Sequence, residues 1–68
     1  MKVVIMGLFG SSIAFTFEYE KNGVKDKIVI KAKDYIAARD KFNHKVGFCY
    51  ILRVVNNTTN EEIPEDKL

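Results

Sequence analysis

An Asn22-Gly23 pair separates two runs in which apolar and polar residues alternate. A two-residue type I′ turn needs positive φ at both central positions, and this pair reaches that conformation with little steric cost. Before the pair, Ile13, Phe15, Phe17 and Tyr19 alternate with Ala14, Thr16, Glu18 and Glu20. After it, Val24, Ile28, Ile30 and Ala32 alternate with Lys25, Lys27, Val29, Lys31 and Lys33. The turn dictates a register. Lys21 faces Val24, Glu20 faces Lys25, Glu18 faces Lys27, Phe17 faces Ile28, and Phe15 faces Ile30. Apolar pairs then gather on one face and opposite charges on the other. Turn chemistry and side-chain pattern agree independently, so a hairpin with one buried face and one wet face is predicted.

The buried face needs a cover. Residues 34–46 predict a helix, with Asp34 as cap or first-turn acid, Lys45 in the last turn and Gly47 at the C′ position. Tyr35, Ala38, Phe42 and Val46 form one stripe on that helix, facing the hairpin. The run from Phe48 to Val55 is apolar on both parities and predicts a central strand. Asn56-Asn57-Thr58-Thr59-Asn60 is a turn cluster. Glu61-Glu62-Ile63-Pro64 offers a short edge strand, and residues 60–68 otherwise read as a mobile tail. At the other end, residues 2–9 predict a buried strand. Gly10-Ser11-Ser12 is a turn or a bulge, so a hairpin with the next strand and one bulged strand both stay open. The expected fold is α+β, a single domain over 1–68. A small, mostly antiparallel sheet of three to five strands carries one helix on one face, in β-β-α-β order.

Size and charge narrow the function. A chain of 68 residues forms one domain whose core supplies about 3–5 kcal/mol, so a partner or second copy would add meaningfully to its stability. A weak homodimer is therefore expected as readily as a monomer. The 47% hydrophobic and 29% charged composition is globular rather than disordered. The net charge of +2 argues against a DNA mimic and falls short of a dedicated nucleic-acid binder. A lone Cys49 excludes a disulfide framework and fits a reducing compartment. The apolar run Val3–Phe9 is short, follows a single Lys2 and lacks a cleavage site, so it predicts strand rather than leader. No stretch nears the roughly 20 apolar residues of a membrane helix. A cytoplasmic protein with no membrane partner is expected.

The residues that would carry catalysis have plainer explanations. His44 lies on the polar side of the helix. Cys49 falls in a strand, where free cysteine usually packs. Glu18 and Glu20 face lysines. Glu61, Glu62, Glu65 and Asp66 lack the turn glycine of a calcium loop. Gly7-Leu8-Phe9-Gly10-Ser11-Ser12 lacks the Gly-Lys-Ser/Thr ending of a phosphate loop. No zinc spacing is present. The chain is expected to be no enzyme and to need no cofactor or metal.

Two features point to binding instead. Lys25, Lys27, Lys31 and Lys33, with Arg39, Lys41 and Lys45 on the helix, offer a basic face for nucleic acid. Glu18 and Glu20 partly neutralise that face, and Phe15 and Phe17 point inward, so nucleic acid is the weaker alternative. The second feature is Ile36. With Ala38 at the origin of the helical wheel, the core stripe centres near about 45° and Ile36 near about 160°. Ile36 is thus expected in solvent, rimmed by Arg39, Asp40 and Asn43, with Tyr35 beside it. An apolar anchor in a polar rim is the anatomy of an interface hot spot.

The opening residues resemble a known family. Lys2-Val3-Val4-Ile5-Met6-Gly7-Leu8-Phe9, then Phe15-Thr16 and Glu18, match without gaps the N-terminal pattern of the Dmd family, small antitoxins of T-even bacteriophages. The match covers residues 2–18. Beyond it the order of elements agrees. This chain has a longer Asn-Gly hairpin, a shorter helix, a C-terminal extension, and no counterpart to the helix tryptophan of the family. The resemblance implies a protein that binds a host endoribonuclease toxin of the RnlA/LsoA type in the bacterial cytoplasm. It implies that the protein blocks RNA cleavage and so protects phage messages. The contact set expected on this chain comes from the exposed Ile36 and its surroundings on the helix: Tyr35, Ile36, Arg39, Asp40 and Asn43.

Overall fold

The structure is a computed structural model and describes residues 12–68. The strand expected over residues 2–9 lies outside the described residues, as does the turn at Gly10 and Ser11. The described chain runs β1 (Ile13–Lys21), β2 (Val24–Ala32), α1 (Tyr35–Val46), β3 (Tyr50–Asn56) and β4 (Glu61–Glu62), and ends in a 3-10 turn (Glu65–Lys67).

The hairpin forms in the expected register. Lys21 pairs with Val24, Glu18 with Lys27, Phe17 with Ile28 and Phe15 with Ile30. Asn22 and Gly23 take φ of 54° and 80°, the positive values a type I′ turn requires. The four-stranded sheet has the order β2-β1-β3-β4. Both β2 and β3 are antiparallel to β1, so they run parallel to each other with β1 between them. A parallel pair needs a crossover, and α1 carries the chain across β1. β1 is bonded along both edges.

Asp34 caps the helix, its Oδ1 accepting the Ala37 N–H at 2.8 Å. Gly47 ends it, donating its N–H to the Asn43 carbonyl at 3.0 Å. The expected stripe turns inward. Ala38 and Phe42 are fully buried, and Tyr35 and Val46 pack at their margin. Phe42 stacks on Phe17 with ring centroids 4.5 Å apart and planes 9° apart, and meets the Tyr19 ring edge-on at 5.3 Å. Phe15, Ile30, Ala32 and Val54 complete the core.

Three details depart from the expectation. β3 starts at Tyr50, not Phe48, and is bonded to β4 only at Val55 and Asn56. A bulge also interrupts its pairing with β1 between Glu18 and Tyr19. Arg53 faces Glu18, yet Ile51 faces Tyr19, so Leu52 is the additional residue. The slip puts Ile51 and Val54 on the core face although they stand three apart. The short edge strand expected at Glu61-Glu62-Ile63-Pro64 forms as β4, whereas the rest of the expected tail carries the 3-10 turn, and Ile63 and Leu68 pack against the core. The Ile63 N–H donates to the Val54 carbonyl at 2.8 Å, extending the edge pairing past Glu62.

Phe42→Ala removes the ring on which Phe17 stacks. A loss of about 3–5 kcal/mol is expected, comparable to the whole stability of a domain this small, so circular dichroism should show a largely unfolded chain at 25 °C. Gly47 has φ of 87° and ψ of −154°, while a Cβ there would meet only Lys21 Nζ at 3.6 Å. Gly47→Ala is therefore expected to cost about 1–3 kcal/mol through backbone conformation alone, read as a lowered denaturation midpoint.

Candidate functional site

The five helix residues expected at a contact surface divide into two groups. Ile36 is 80% exposed, and Asp40 and Asn43 are exposed near it. These three make a continuous strip on the solvent side of α1. Tyr35 and Arg39 are half-buried and already engaged. The Tyr35 ring packs against Phe15 at 6.0 Å and Phe17 at 6.1 Å, which places it against the core rather than in the strip. An Arg39 Nη donates to the Leu68 carbonyl and ties the helix to the C-terminal segment. Tyr35 Oη and Arg39 Nε are buried and have no hydrogen-bond partner among the described residues. His44 flanks the strip, its Nδ1 2.9 Å from the Asp40 carbonyl oxygen and 3.8 Å from the Asp40 carboxylate.

The basic face is present on the sheet, with Lys25, Lys27, Lys31 and Lys33 all exposed. The carboxylates on it are arranged differently from the expectation. Lys27 stands opposite Glu18 in the register, but the Glu18 carboxylate lies 3.5 Å from Arg53 on the other neighbouring strand. Arg53 also lies 3.5 Å from Glu62 and so links β1, β3 and β4 across the outer face. Both partners are substantially exposed, and such pairs contribute about 0–1 kcal/mol each. Cys49 is half-buried against the core just ahead of β3.

Sequence reading missed an apolar stripe at the start of β3. Phe48 is 98% exposed, Tyr50 78% and Leu52 46%. Tyr50 pairs with Glu20, so it shares the outer face with the lysines. The parity of Phe48, Tyr50 and Leu52 against Cys49 and Ile51 was a usable signal. A run apolar on both parities conceals which half is covered, and the bulge then changes the phase midway.

Val29 and Ile30 floor a groove of about 470 Å³ between β2 and α1, walled by Lys31, Lys41 and Lys45 with Asp40 and His44 at its rim. Lys41 Nζ reaches across it to the Lys31 carbonyl at 2.8 Å. Among the described residues no group of histidine, cysteine and carboxylate side chains is arranged to hold a metal ion. No described helix is long and apolar enough to cross a membrane. Fold and surface together define a small α+β domain with an exposed isoleucine on its helix and a basic sheet edge. No protein-family model, curated protein or solved structure matches this chain.

The first turn of α1 holds no acid, and a carboxylate there is favoured by the helix dipole. Ile36→Asp is therefore expected to leave stability within about 0.5 kcal/mol of the parent. Tyr35→Ala should cost about 2–3 kcal/mol, because its ring packs in the core. Thermal melts of the two variants separate surface from core on this helix.

Proposed function

We propose that the chain is an antitoxin of the Dmd kind. It binds a host endoribonuclease toxin of the RnlA/LsoA type, blocks RNA cleavage by contact alone, and protects phage messages in the bacterial cytoplasm. What supports this reading is the resemblance, without gaps, of residues 2–18 to the N-terminal pattern of that family. Phe15, Thr16 and Glu18, the described part of that resemblance, fall on β1, the strand paired with both β2 and β3. Ile36 supports it further. A large apolar side chain held in water beside Asp40 and Asn43 gains free energy when a partner covers it, by about 25 cal/mol for each Å² removed from water. The neighbouring polar groups then exclude water around the anchor. Tyr35 and Arg39 act in this scheme as supports that hold the helix on the sheet.

A second reading has one observation in its favour. Tyr50 stands exposed on the same sheet face as Lys25 and Lys27, which offers a stacking ring beside phosphate-binding charge. A nucleic-acid module of this sort binds steeply less well as salt rises.

The decisive test mixes the purified protein with several toxins of this type and follows cleavage of a reporter RNA. Inhibition by the parent is expected, with Ile36→Asp weakening the complex by more than about 1 kcal/mol, or about fivefold in Kd. Undiminished cleavage with every toxin, or a complex indifferent to Ile36→Asp, overturns the proposed mode of action. A gel shift with single-stranded RNA that disappears as salt is raised would favour the second reading.

A further inference from the structure

The outer edge of β2 carries an arrangement that the antitoxin reading does not use. In a two-residue hairpin the pair flanking the turn is hydrogen-bonded, here Lys21 with Val24, and bonded pairs then recur at every second position. The bonded β2 residues are thus Val24, Asp26, Ile28, Ile30 and Ala32. Lys25, Lys27, Val29 and Lys31 turn their N–H and C=O groups away from β1. The Lys31 carbonyl confirms that direction, since it accepts from Lys41 Nζ outside the sheet. Among the described residues no strand pairs with this edge. The Lys27 N–H is met by the Asp26 carboxylate at 2.8 Å, whereas Val29 lies between the lysines with its side chain 54% exposed.

An edge that no described strand pairs with is a template for another strand, and its charges decide which strand is accepted. A second copy of this edge is disfavoured, because antiparallel pairing of β2 with β2 sets lysine against lysine. A strand with carboxylates at alternate positions meets the opposite situation. Its acids fall beside Lys25, Lys27 and Lys31, and its intervening side chains fall toward the groove floored by Ile30 and walled by Lys41 and Lys45. We propose that the β2 edge and its groove bind an extended acidic segment of a partner protein, added to the sheet as a further strand. The inference stands apart from the toxin reading and concerns any protein that presents such a segment.

The probe is a synthetic peptide of alternating glutamate and valine, titrated into the isotope-labelled full chain. Amide shifts along Lys25–Lys31 and slowed exchange at the Val29 amide are expected, with binding weakened by salt. Val29→Pro deletes the outward N–H while keeping every charge. It is tolerable because that N–H is not used by β1 and proline is accepted on edge strands. It should lower affinity about tenfold. Lys31→Glu leaves the backbone intact and gives a second arm should Val29→Pro unfold the hairpin; it too should bind at least several-fold more weakly. The proposal is overturned if the β2 amides stay unmoved up to about 1 mM peptide. It is equally overturned if a folded Val29→Pro binds as the parent does, since charge alone would then suffice. Displacement of the peptide by single-stranded RNA at the same amides would assign the lysines to phosphate. Self-association abolished by the same variants would assign the edge to a second copy. Failure to inhibit any toxin leaves all of these outcomes unaffected.

Discussion

Phe17 is where β1, β2, β3 and α1 meet. It is completely buried, opposite Ile28 of β2 and Val54 of β3, with the Phe42 ring of α1 stacked on it and Tyr35 beyond. A chain of this size has room for one core, and that core is organised around one side chain. The hairpin register brings Phe17 to the inner face, the helix cap sets where Phe42 comes down, and β3 closes the remaining side. Each exposed surface is defined by its position relative to this point. Ile36 is exposed because it lies on the helix face turned away from Phe42. Lys25, Lys27 and Lys31 are exposed because their parity on β2 is opposite to that of Ile28.

The sheet order adds a second constraint. With β1 bonded on both edges, its side chains are the ones covered most evenly, and the strands beside it divide the outer surface by chemistry. β2 lies at one margin and carries lysines. β3 and β4 carry Arg53 and Glu62, joined to Glu18 by exposed ion pairs. Those pairs add little to stability, yet they fix where positive charge is neutralised and where it is left open. The open charge lies on the β2 side of the sheet. The exposed apolar side chains lie on β2 at Val24 and Val29, on the solvent side of α1, and at the start of β3.

Much of this was legible from local chemistry. Asn22-Gly23 determined a register that the structure reproduces pair by pair, because a type I′ turn leaves no freedom in which residues face each other. Asp34 and Gly47 bounded the helix for equally local reasons. The exposure of Ile36 followed from helical geometry alone. What escaped was long-range. Nothing near Leu52 signals a bulge, since bulges answer to the pairing partner and not to the strand's own sequence. Tyr35 appeared to border the exposed strip, but its position on the wheel also lies near the core stripe, and aromatic packing with Phe15 and Phe17 decided the matter. The engagement of Arg39 by Leu68 depends on a segment whose acidic composition suggested only a solvated tail.

The crossover of α1 over β1 has a consequence in time as well as in space. The β1–β2 pairing closes a turn of two residues, so its loop entropy is small and the hairpin can form on a microsecond scale. β3 must find β1 only after the helix has been laid down between them, and contacts of that sequence separation are slow to form. On the ribosome the same order is imposed by synthesis, which finishes the hairpin and helix before β3 emerges. For that interval Phe17 has Ile28 beside it but no Val54, and the far edge of β1 is open. The nascent domain is therefore most vulnerable to mispairing along the edge that β3 covers in the finished domain.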